Sequence, residues 1–126
     1  MEEKIEVNEY VRTNRGNIGK VVEIRLGFNK DTELYQNVYN VYILDNGLWT
    51  VLDYIVKHSK NLIELIEPGE LIKTEYGTGW FHHKIDEKSF LFDDGEEYIE
   101  VQNRDLISIL TREQYEANCY KVGGEE

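Results

Sequence analysis

Cysteine and proline are almost absent from this chain of 126 residues, which has one of each. The single cysteine, Cys119, excludes an internal disulfide and is typical of a reducing compartment. No apolar run approaches the ~20 residues that a membrane span needs. The acidic start, residues 1–4, has no apolar segment of the kind found in secretory signals. These absences predict a cytoplasmic protein that does not enter a membrane.

The common signatures of catalysis are also absent. The sequence has no phosphate-binding loop, no dinucleotide-binding glycine pattern and no zinc-ligand spacing. His82 and His83 are adjacent, so on a regular strand they would point to opposite faces and could not bind one metal ion together. His58 stands alone, and Cys119 has no histidine near it in sequence to activate it as a nucleophile. We therefore predict a non-enzymatic protein with no cofactor and no metal site.

Charge is abundant and unevenly distributed along the chain. The net charge is −11, from 14 basic and 25 acidic side chains. Residues 1–61 have 8 basic and 9 acidic side chains, whereas residues 62–126 have 6 basic and 16 acidic ones. This asymmetry indicates two units that face different environments, or one face shaped by a charged partner. The alternative is that the acidic residues keep a small β protein soluble and protect its sheet edges.

An internal repeat divides the chain. Residues 5–16 match residues 66–77 at a constant offset of 61, with identity at Ile5/Ile66, Glu6/Glu67, Glu9/Glu70, Thr13/Thr74 and Gly16/Gly77. The segment Tyr-Ile-Leu-Asp-Asn-Gly at 42–47 also matches Phe-Leu-Phe-Asp-Asp-Gly at 90–95. Matching segments in the same order are typical of a duplicated structural unit. We therefore predict two units, residues 1–63 and residues 64–126.

Each unit is predicted to consist of short strands. The chain has 15 aromatic residues, nine of them tyrosine, and many β-branched residues, all of which favour strands. Asn46-Gly47 and Asp94-Gly95 predict two-residue hairpin turns, the second of type I′. Residues 56–65 are ambiguous and are assigned to a helix, and a capping box at residues 111–114 predicts a short helix as far as Ala117. Four or five short strands in about 60 residues predict a small, strongly bent barrel.

Residues 11–22 (VRTNRGNIGKVV) resemble the start of an SH3-like barrel of the KOW or Tudor kind, in which a strand is followed by Gly-x-x-Gly-x-Val and a second strand. Gly16, Gly19 and Val21 match this pattern, and Lys20 occupies its basic position. The second unit departs from the pattern at residues 77–81 (GTGWF). The resemblance implies a mainly β protein of two tandem SH3-like small barrels with short helical turns. The chain is also similar, through residues 107–115, to small proteins of Gram-positive bacteria and their phages, which implies a bacterial or phage-infected host cell.

The first candidate surface is a basic hairpin near the glycine-rich turn. Its positively charged side chains are Arg12, Arg15, Lys20, Arg25 and Lys30. The resemblance implies that this region contacts nucleic acid, with affinity from phosphate contacts that decreases with salt. The alternative is a solvated sheet edge whose charges prevent aggregation.

The second candidate surface is an acidic hairpin, and the third is a set of surplus aromatic residues. The acidic candidates are Asp93, Asp94, Glu96, Glu97 and Glu100, and the aromatic candidates are Trp49 and Trp80. The carboxylates could mimic a phosphate backbone and bind a basic or nucleic-acid-binding protein, or they could serve solubility alone. The aromatic residues could form a binding groove or fill the core.

We predict a binding or adaptor module that acts through protein–protein contacts. The alternatives are a phage-encoded inhibitor of a nucleic-acid-targeting defence protein and direct nucleic-acid binding.

Overall fold

A computed structural model gives the fold of residues 4–28 and 38–118, so Lys30 and Cys119 lie outside the described residues. The prediction of a mainly β protein is confirmed, because the structure consists of two five-stranded antiparallel sheets and one α-helix. The chain divides into two compact units, Met1–Leu65 (unit 1) and Ile66–Glu126 (unit 2). No helix in the described residues is long and apolar enough to cross a membrane.

Unit 1 contains one antiparallel sheet. Its strands are β1 (Tyr10–Thr13), β2 (Ile18–Phe28), β3 (Val38–Leu44), β4 (Trp49–Val51) and β5 (Ile55–Ser59), and its 3₁₀ turns are Leu52–Tyr54 and Leu62–Leu65. The strand order is β4-β3-β2-β1-β5, so the first strand pairs with both the second and the last. The core is formed by Ile5, which precedes β1, and by the strand residues Val11, Val21, Tyr42 and Leu44, with Ile24 and Ile55 packed against them.

Unit 2 has the same strand order. Its strands are β6 (Leu71–Thr74), β7 (Gly77–Asp86), β8 (Ser89–Asp93), β9 (Tyr98–Gln102) and β10 (Leu106–Leu110), its 3₁₀ turn is Asn103–Asp105, and its helix is α1 (Arg112–Asn118). The order β10-β6-β7-β8-β9 again places the first strand of the unit between its second and last strands. The buried hydrophobic residues are Ile66, Ile72, Phe81, Phe90, Phe92 and Val101.

The backbone hydrogen bonds of the two units match at the positions of the sequence repeat. The Asn8 N–H donates to the Val21 carbonyl at 2.7 Å, and the Gly69 N–H donates to the Phe81 carbonyl at the same distance. Asn8 and Gly69 both have a positive φ, 81° and 89°, so the same tight turn leads into the first strand of each unit. The repeat in the sequence therefore corresponds to a repeat in the backbone.

The helix predicted at residues 56–65 is wrong for most of its length. Ile55–Ser59 is strand β5, and only Leu62–Leu65 is helical, as a 3₁₀ turn. Strand β5 pairs with β1, with Tyr10 opposite Ser59 and Arg12 opposite Lys57. This pairing satisfies the backbone of a segment that is too short to be stable as an isolated helix.

The predicted C-terminal helix is confirmed as α1, and its capping box has the expected hydrogen bonds. The Thr111 backbone N–H donates to the Gln114 side-chain oxygen at 3.2 Å, and the Gln114 backbone N–H donates to Thr111 Oγ1 at 3.3 Å. These two bonds satisfy N–H groups that have no partner inside the helix.

The two predicted hairpin turns are longer than two residues. Gly47 and Gly95 have a positive φ, but the residues before them do not, as a type I′ turn would require. In unit 1 the Gly47 N–H donates to the Leu44 carbonyl at 3.0 Å, and the Leu44 N–H donates to the Leu48 carbonyl at 2.8 Å. These bonds describe a three-residue loop in which a turn is followed by a left-handed glycine. The glycine was predicted correctly, but the loop length was not.

Candidate binding surfaces

The structure does not support Arg12 as a nucleic-acid contact. Its side chain is 1% exposed, and Nη1 donates a hydrogen bond to the Leu65 carbonyl at 2.7 Å. The 3₁₀ turn Leu62–Leu65 packs against β1 and β5, so both faces of β1 are covered. The prediction for Arg12 is therefore wrong, because a buried guanidinium cannot reach a phosphate.

The remaining basic candidates in the described residues differ in their surroundings. Arg15 is exposed in the turn after β1. Lys20 Nζ lies 5.6 Å from the centre of the Tyr10 ring, a cation–π contact within unit 1. Arg25 forms two hydrogen bonds with the Glu23 carboxylate, at 2.8 and 3.1 Å, which raise the pKa of Arg25 and lower the pKa of Glu23. With Arg12 buried, Arg15, Lys20 and the carboxylate-paired Arg25 are the described candidates that remain for the predicted phosphate-binding patch.

The acidic hairpin of unit 2 contains carboxylates with two different roles. Asp94 Oδ1 accepts hydrogen bonds from the backbone N–H groups of Glu96 and Glu97, at 2.8 and 2.9 Å, and Asp93 Oδ1 accepts one from Gly95 at 2.9 Å. These aspartates hold the turn between β8 and β9. Glu96, Glu97 and Glu100 are exposed. We call residues 93–97 the acidic turn.

Acid titration tests the role of Asp94. Hydrogen bonds from the Glu97 and Glu96 backbone N–H groups favour the charged carboxylate and lower the pKa of Asp94 from 3.8. The contribution of this carboxylate to the turn is therefore present above about pH 4 and is lost as the pH falls through the lowered pKa. In NMR spectra we expect the Glu96 and Glu97 amide signals to titrate together with a midpoint below 3.8. Asp94→Asn, which keeps an acceptor oxygen but cannot titrate, should remove the transition, and a midpoint at or above 3.8 would contradict this assignment.

The prediction that His82 and His83 point to opposite faces is wrong. The pairing of β7 with β8 shifts by one residue between Phe81 and His83, which is a β-bulge. The bulge brings the two rings together, with their Nδ1 atoms 2.6 Å apart. The His82 ring also contacts the Tyr98 ring, with centres 5.0 Å apart. Within the described residues, however, no group of three or more His, Cys, Asp and Glu side chains is placed to hold a metal ion.

Sequence reasoning missed a side-chain hydrogen bond between His58 and Glu9 in unit 1. His58 Nδ1 lies 2.6 Å from Glu9 Oε1, although the two residues are 49 positions apart. In unit 2 the corresponding carboxylate, Glu70, instead accepts hydrogen bonds from the Glu67 and Arg112 backbone N–H groups, each at 2.8 Å. Both carboxylates are satisfied within their own unit, as buried charges must be. The only sequence signal for these roles is the repeat itself, which pairs Glu9 with Glu70.

Exposed apolar side chains cluster at the β4 edge of unit 1. Trp49 is 65% exposed, Leu52 is 51% exposed and Tyr54 is 54% exposed. Together with Tyr39 and Val51 they line a cavity of about 570 Å³. We call these five residues the aromatic face. Trp49 and Tyr54 also line a second cavity, of about 360 Å³, whose wall includes Arg15 and Leu48.

The strand register shows what unit 2 has at the positions of the aromatic face. Trp49 pairs with Ile43 of β3, and the corresponding pair in unit 2 is Glu100 with Leu91 of β8. Glu100 therefore occupies the position of Trp49. Continuing along the chain, the residues at the positions of Val51, Leu52 and Tyr54 are Gln102, Asn103 and Asp105. The same backbone thus has an apolar surface in unit 1 and a polar one in unit 2.

Unit 2 has an apolar cavity elsewhere, on the face that includes Trp80. The cavity has a volume of about 430 Å³. Its apolar walls are Pro68, Leu71, Trp80, Leu110 and Tyr115, and its charged lining residues are Glu67, Glu70 and Arg112. Arg112 and Glu67 form an ion pair, with Nη2 3.2 Å from Oε1. The two tryptophans predicted as protein contacts therefore line separate cavities, one in each unit.

Comparisons with known proteins reveal no relative of this chain. Neither a protein-family model, nor a curated protein sequence, nor a solved structure matches it. The surfaces of the two units are therefore the basis for the proposed function.

Proposed function

We propose that the protein is a non-enzymatic binding module that acts through protein–protein contacts, and that the aromatic face of unit 1 is its main binding surface. The observation that carries this proposal is the difference between the two units at matching positions. Unit 2 adopts the same strand order with Glu100, Gln102, Asn103 and Asp105 where unit 1 has apolar residues. The fold therefore does not require apolar side chains at these four positions, and a clustered apolar surface of this kind is typical of an interaction site.

The chemistry of the aromatic face suits a protein partner. Tryptophan and tyrosine contribute most strongly to binding when a partner buries them, because a large apolar area is then removed from water while few side-chain rotations are frozen. The cavities on either side of Trp49 and Tyr54 provide space for apolar side chains of the partner. The occupant that fits best is a short segment of a partner protein with one or two large apolar side chains.

We also propose that each unit is an SH3-like small barrel. In each unit the first strand pairs with both the second and the last strand, so strands distant in sequence are joined in one sheet, although no pairing among the described strands closes that sheet into a barrel. A 3₁₀ turn immediately before the last strand recurs in both units. These features support the resemblance noted at the Gly16, Gly19 and Val21 positions.

Peptide selection tests the proposed function. A random peptide library displayed on phage is selected against the intact protein, and the enriched peptides are titrated by NMR. We expect the selected peptides to contain large apolar residues and to shift the Trp49 indole N–H signal. Trp49→Ala combined with Tyr54→Ala should weaken binding by at least about 100-fold, since each truncation of a central aromatic contact costs about 2 kcal/mol or more. Tyr76→Ala, which removes an exposed aromatic residue of unit 2, is the matched control and should leave the affinity unchanged.

Two kinds of result would contradict the proposed function. Peptides that bind the double variant as tightly as the parent, or that shift only signals of unit 2, would contradict it. Selection of no peptide above background in repeated rounds would also contradict it.

A further inference from the structure

We propose that unit 2 binds a basic segment of a partner protein, with a lysine or arginine side chain entering the cavity lined by Trp80 and Tyr115. This site is separate from the aromatic face of unit 1, and the inference does not depend on the function proposed for that face. The acidic composition of residues 62–126 predicts a basic partner, and this cavity is the place where we expect that partner to bind.

One cross-strand row connects the cavity to the acidic turn. Leu110 pairs with Leu71, Leu71 with Trp80, Trp80 with Asp93, and Asp93 with Tyr98. Directly paired residues of an antiparallel sheet point to the same face, so these five side chains form a continuous row across the strands. The row is apolar at Leu110, Leu71 and Trp80 and becomes acidic at Asp93. On its far side Trp80 also lies close to the acidic turn, since a Cβ atom on Gly95 would be 3.8 Å from its indole ring.

Unit 1 provides an internal example of a cation on the same row. Tyr10 of unit 1 corresponds to Leu71, and Lys20, which pairs with Tyr10, corresponds to Trp80. Lys20 Nζ lies 5.6 Å from the centre of the Tyr10 ring. Unit 1 thus supplies its own ammonium group to an aromatic ring on this face. In unit 2, Trp80 occupies the position of that lysine. Unit 2 therefore provides the aromatic ring at this position, and a partner would have to provide the cation.

The charge of unit 2 specifies the sign of the occupant. Residues 66–126 contain 15 acidic and 6 basic side chains. In the lining of the cavity, Glu70 accepts two backbone hydrogen bonds, whereas Glu67 shares its carboxylate with the exposed Arg112 side chain. An incoming cation can share the Glu67 carboxylate and the nearby charges of the acidic turn, while an anion would meet repulsion from both. Long-range attraction from the net negative charge would also accelerate the encounter with a basic partner.

The dimensions and polarity of the cavity suit a long basic side chain. Lysine and arginine bury their aliphatic stems along apolar surface and keep the charged group in a polar or aromatic environment. Leu71 and Leu110 provide the apolar wall, and the faces of Trp80 and Tyr115 attract a cation through their ring quadrupoles. A volume of about 430 Å³ accommodates one such side chain together with water.

The test uses blocked pentalysine as the probe and the full-length protein. Binding is followed by NMR, with the two tryptophan indole N–H signals assigned from Trp80→Phe and Trp49→Phe. We expect pentalysine to shift the Trp80 signal and not the Trp49 signal, and pentaglutamate to shift neither. Trp80→Ala should weaken pentalysine binding about tenfold without any change in net charge. Tyr76→Ala, which removes an exposed aromatic residue of unit 2 that does not line this cavity, is the matched control and should leave the affinity unchanged.

Two charge variants refine the test. Arg112→Gln removes the competing cation and should strengthen pentalysine binding several-fold, whereas Glu67→Gln should weaken it. Tyr115→Ala provides a second aromatic variant in an exposed position of α1, in case Trp80→Ala lowers the amount of folded protein. The proposal is overturned if both Trp80→Ala and Tyr115→Ala bind pentalysine as tightly as the parent, because binding would then reflect surface charge alone. It is also overturned if pentalysine does not bind at low salt or shifts mainly signals of unit 1.

Discussion

Replacing Arg12 with methionine should lower the free energy of unfolding of unit 1 by about 2–4 kcal/mol, because the change leaves a buried carbonyl without its donor. The Arg12 guanidinium donates to the Leu65 carbonyl at 2.7 Å. Methionine preserves much of the aliphatic stem, so the loss reports the hydrogen bond and the charge rather than a large cavity. Urea unfolding, followed through the NMR signals of residues in unit 1, measures the effect.

Lys73→Met is the control that the repeat itself supplies. Lys73 occupies the position of Arg12 at the offset of 61, but its side chain is exposed. We expect this variant to change the free energy of unfolding by less than about 0.5 kcal/mol. Equal effects of the two substitutions would show that the burial of Arg12 has no energetic importance.

Replacing Gly79 with alanine should destabilise unit 2 by about 2–4 kcal/mol, because the backbone of a neighbouring strand occupies the space that a side chain needs. A Cβ atom on Gly79 would lie 2.2 Å from the Asp93 carbonyl oxygen and 2.8 Å from the Phe92 ring. Strands β7 and β8 would have to separate to admit it, and the cross-strand row would shift with them. Thermal unfolding followed by circular dichroism measures the loss.

Gly19 in unit 1 provides a graded comparison. It pairs with Val11 as Gly79 pairs with Ile72, so the two glycines occupy matching positions. A Cβ atom on Gly19 would lie 2.9 Å from the Cβ atom of Leu44, a less severe overlap than the 2.2 Å approach at Gly79. Gly19→Ala should therefore be less destabilising than Gly79→Ala. The reverse order, or no effect at Gly79, would contradict the steric explanation.

Sequence reasoning was most successful where a signal is local. The capping box at Thr111 and Gln114 needs only four residues, and its reciprocal hydrogen bonds are present. The glycines of the first hairpin show how a local pattern can also mislead. Gly79 pairs with Ile72 as Gly19 pairs with Val11, so Gly79 occupies the position of Gly19. Gly77 lies opposite Thr74 as Asn17 lies opposite Thr13, so Gly77 does not occupy the position of Gly16. The turn after the first strand has three residues in unit 1, 14–16, and two in unit 2, 75–76, which accounts for the different glycine spacing.

Sequence reasoning failed where the outcome depends on what covers a strand. Arg12 and Lys73 are a conservative pair in sequence, but the 3₁₀ turn Leu62–Leu65 covers only the first of them. No pattern within β1 contains that information. The placement of His82 and His83 similarly depends on a bulge, which is a property of the pairing between β7 and β8 rather than of either strand alone. The candidate surfaces were therefore predicted by residue type and only partly by location.

The pairing of first and last strands within each unit has a consequence for biosynthesis. Two halves with similar first strands could exchange partners, with β5 pairing to β6 or β10 to β1, a failure typical of repeated sequences. At about 5–20 residues per second, a ribosome needs about 3–12 s to add the 61 residues of unit 2. Small β domains fold in about milliseconds to seconds. Strand β5 therefore has time to pair with β1 before unit 2 is complete, so the order of translation reduces the opportunity for strands of the two units to exchange partners.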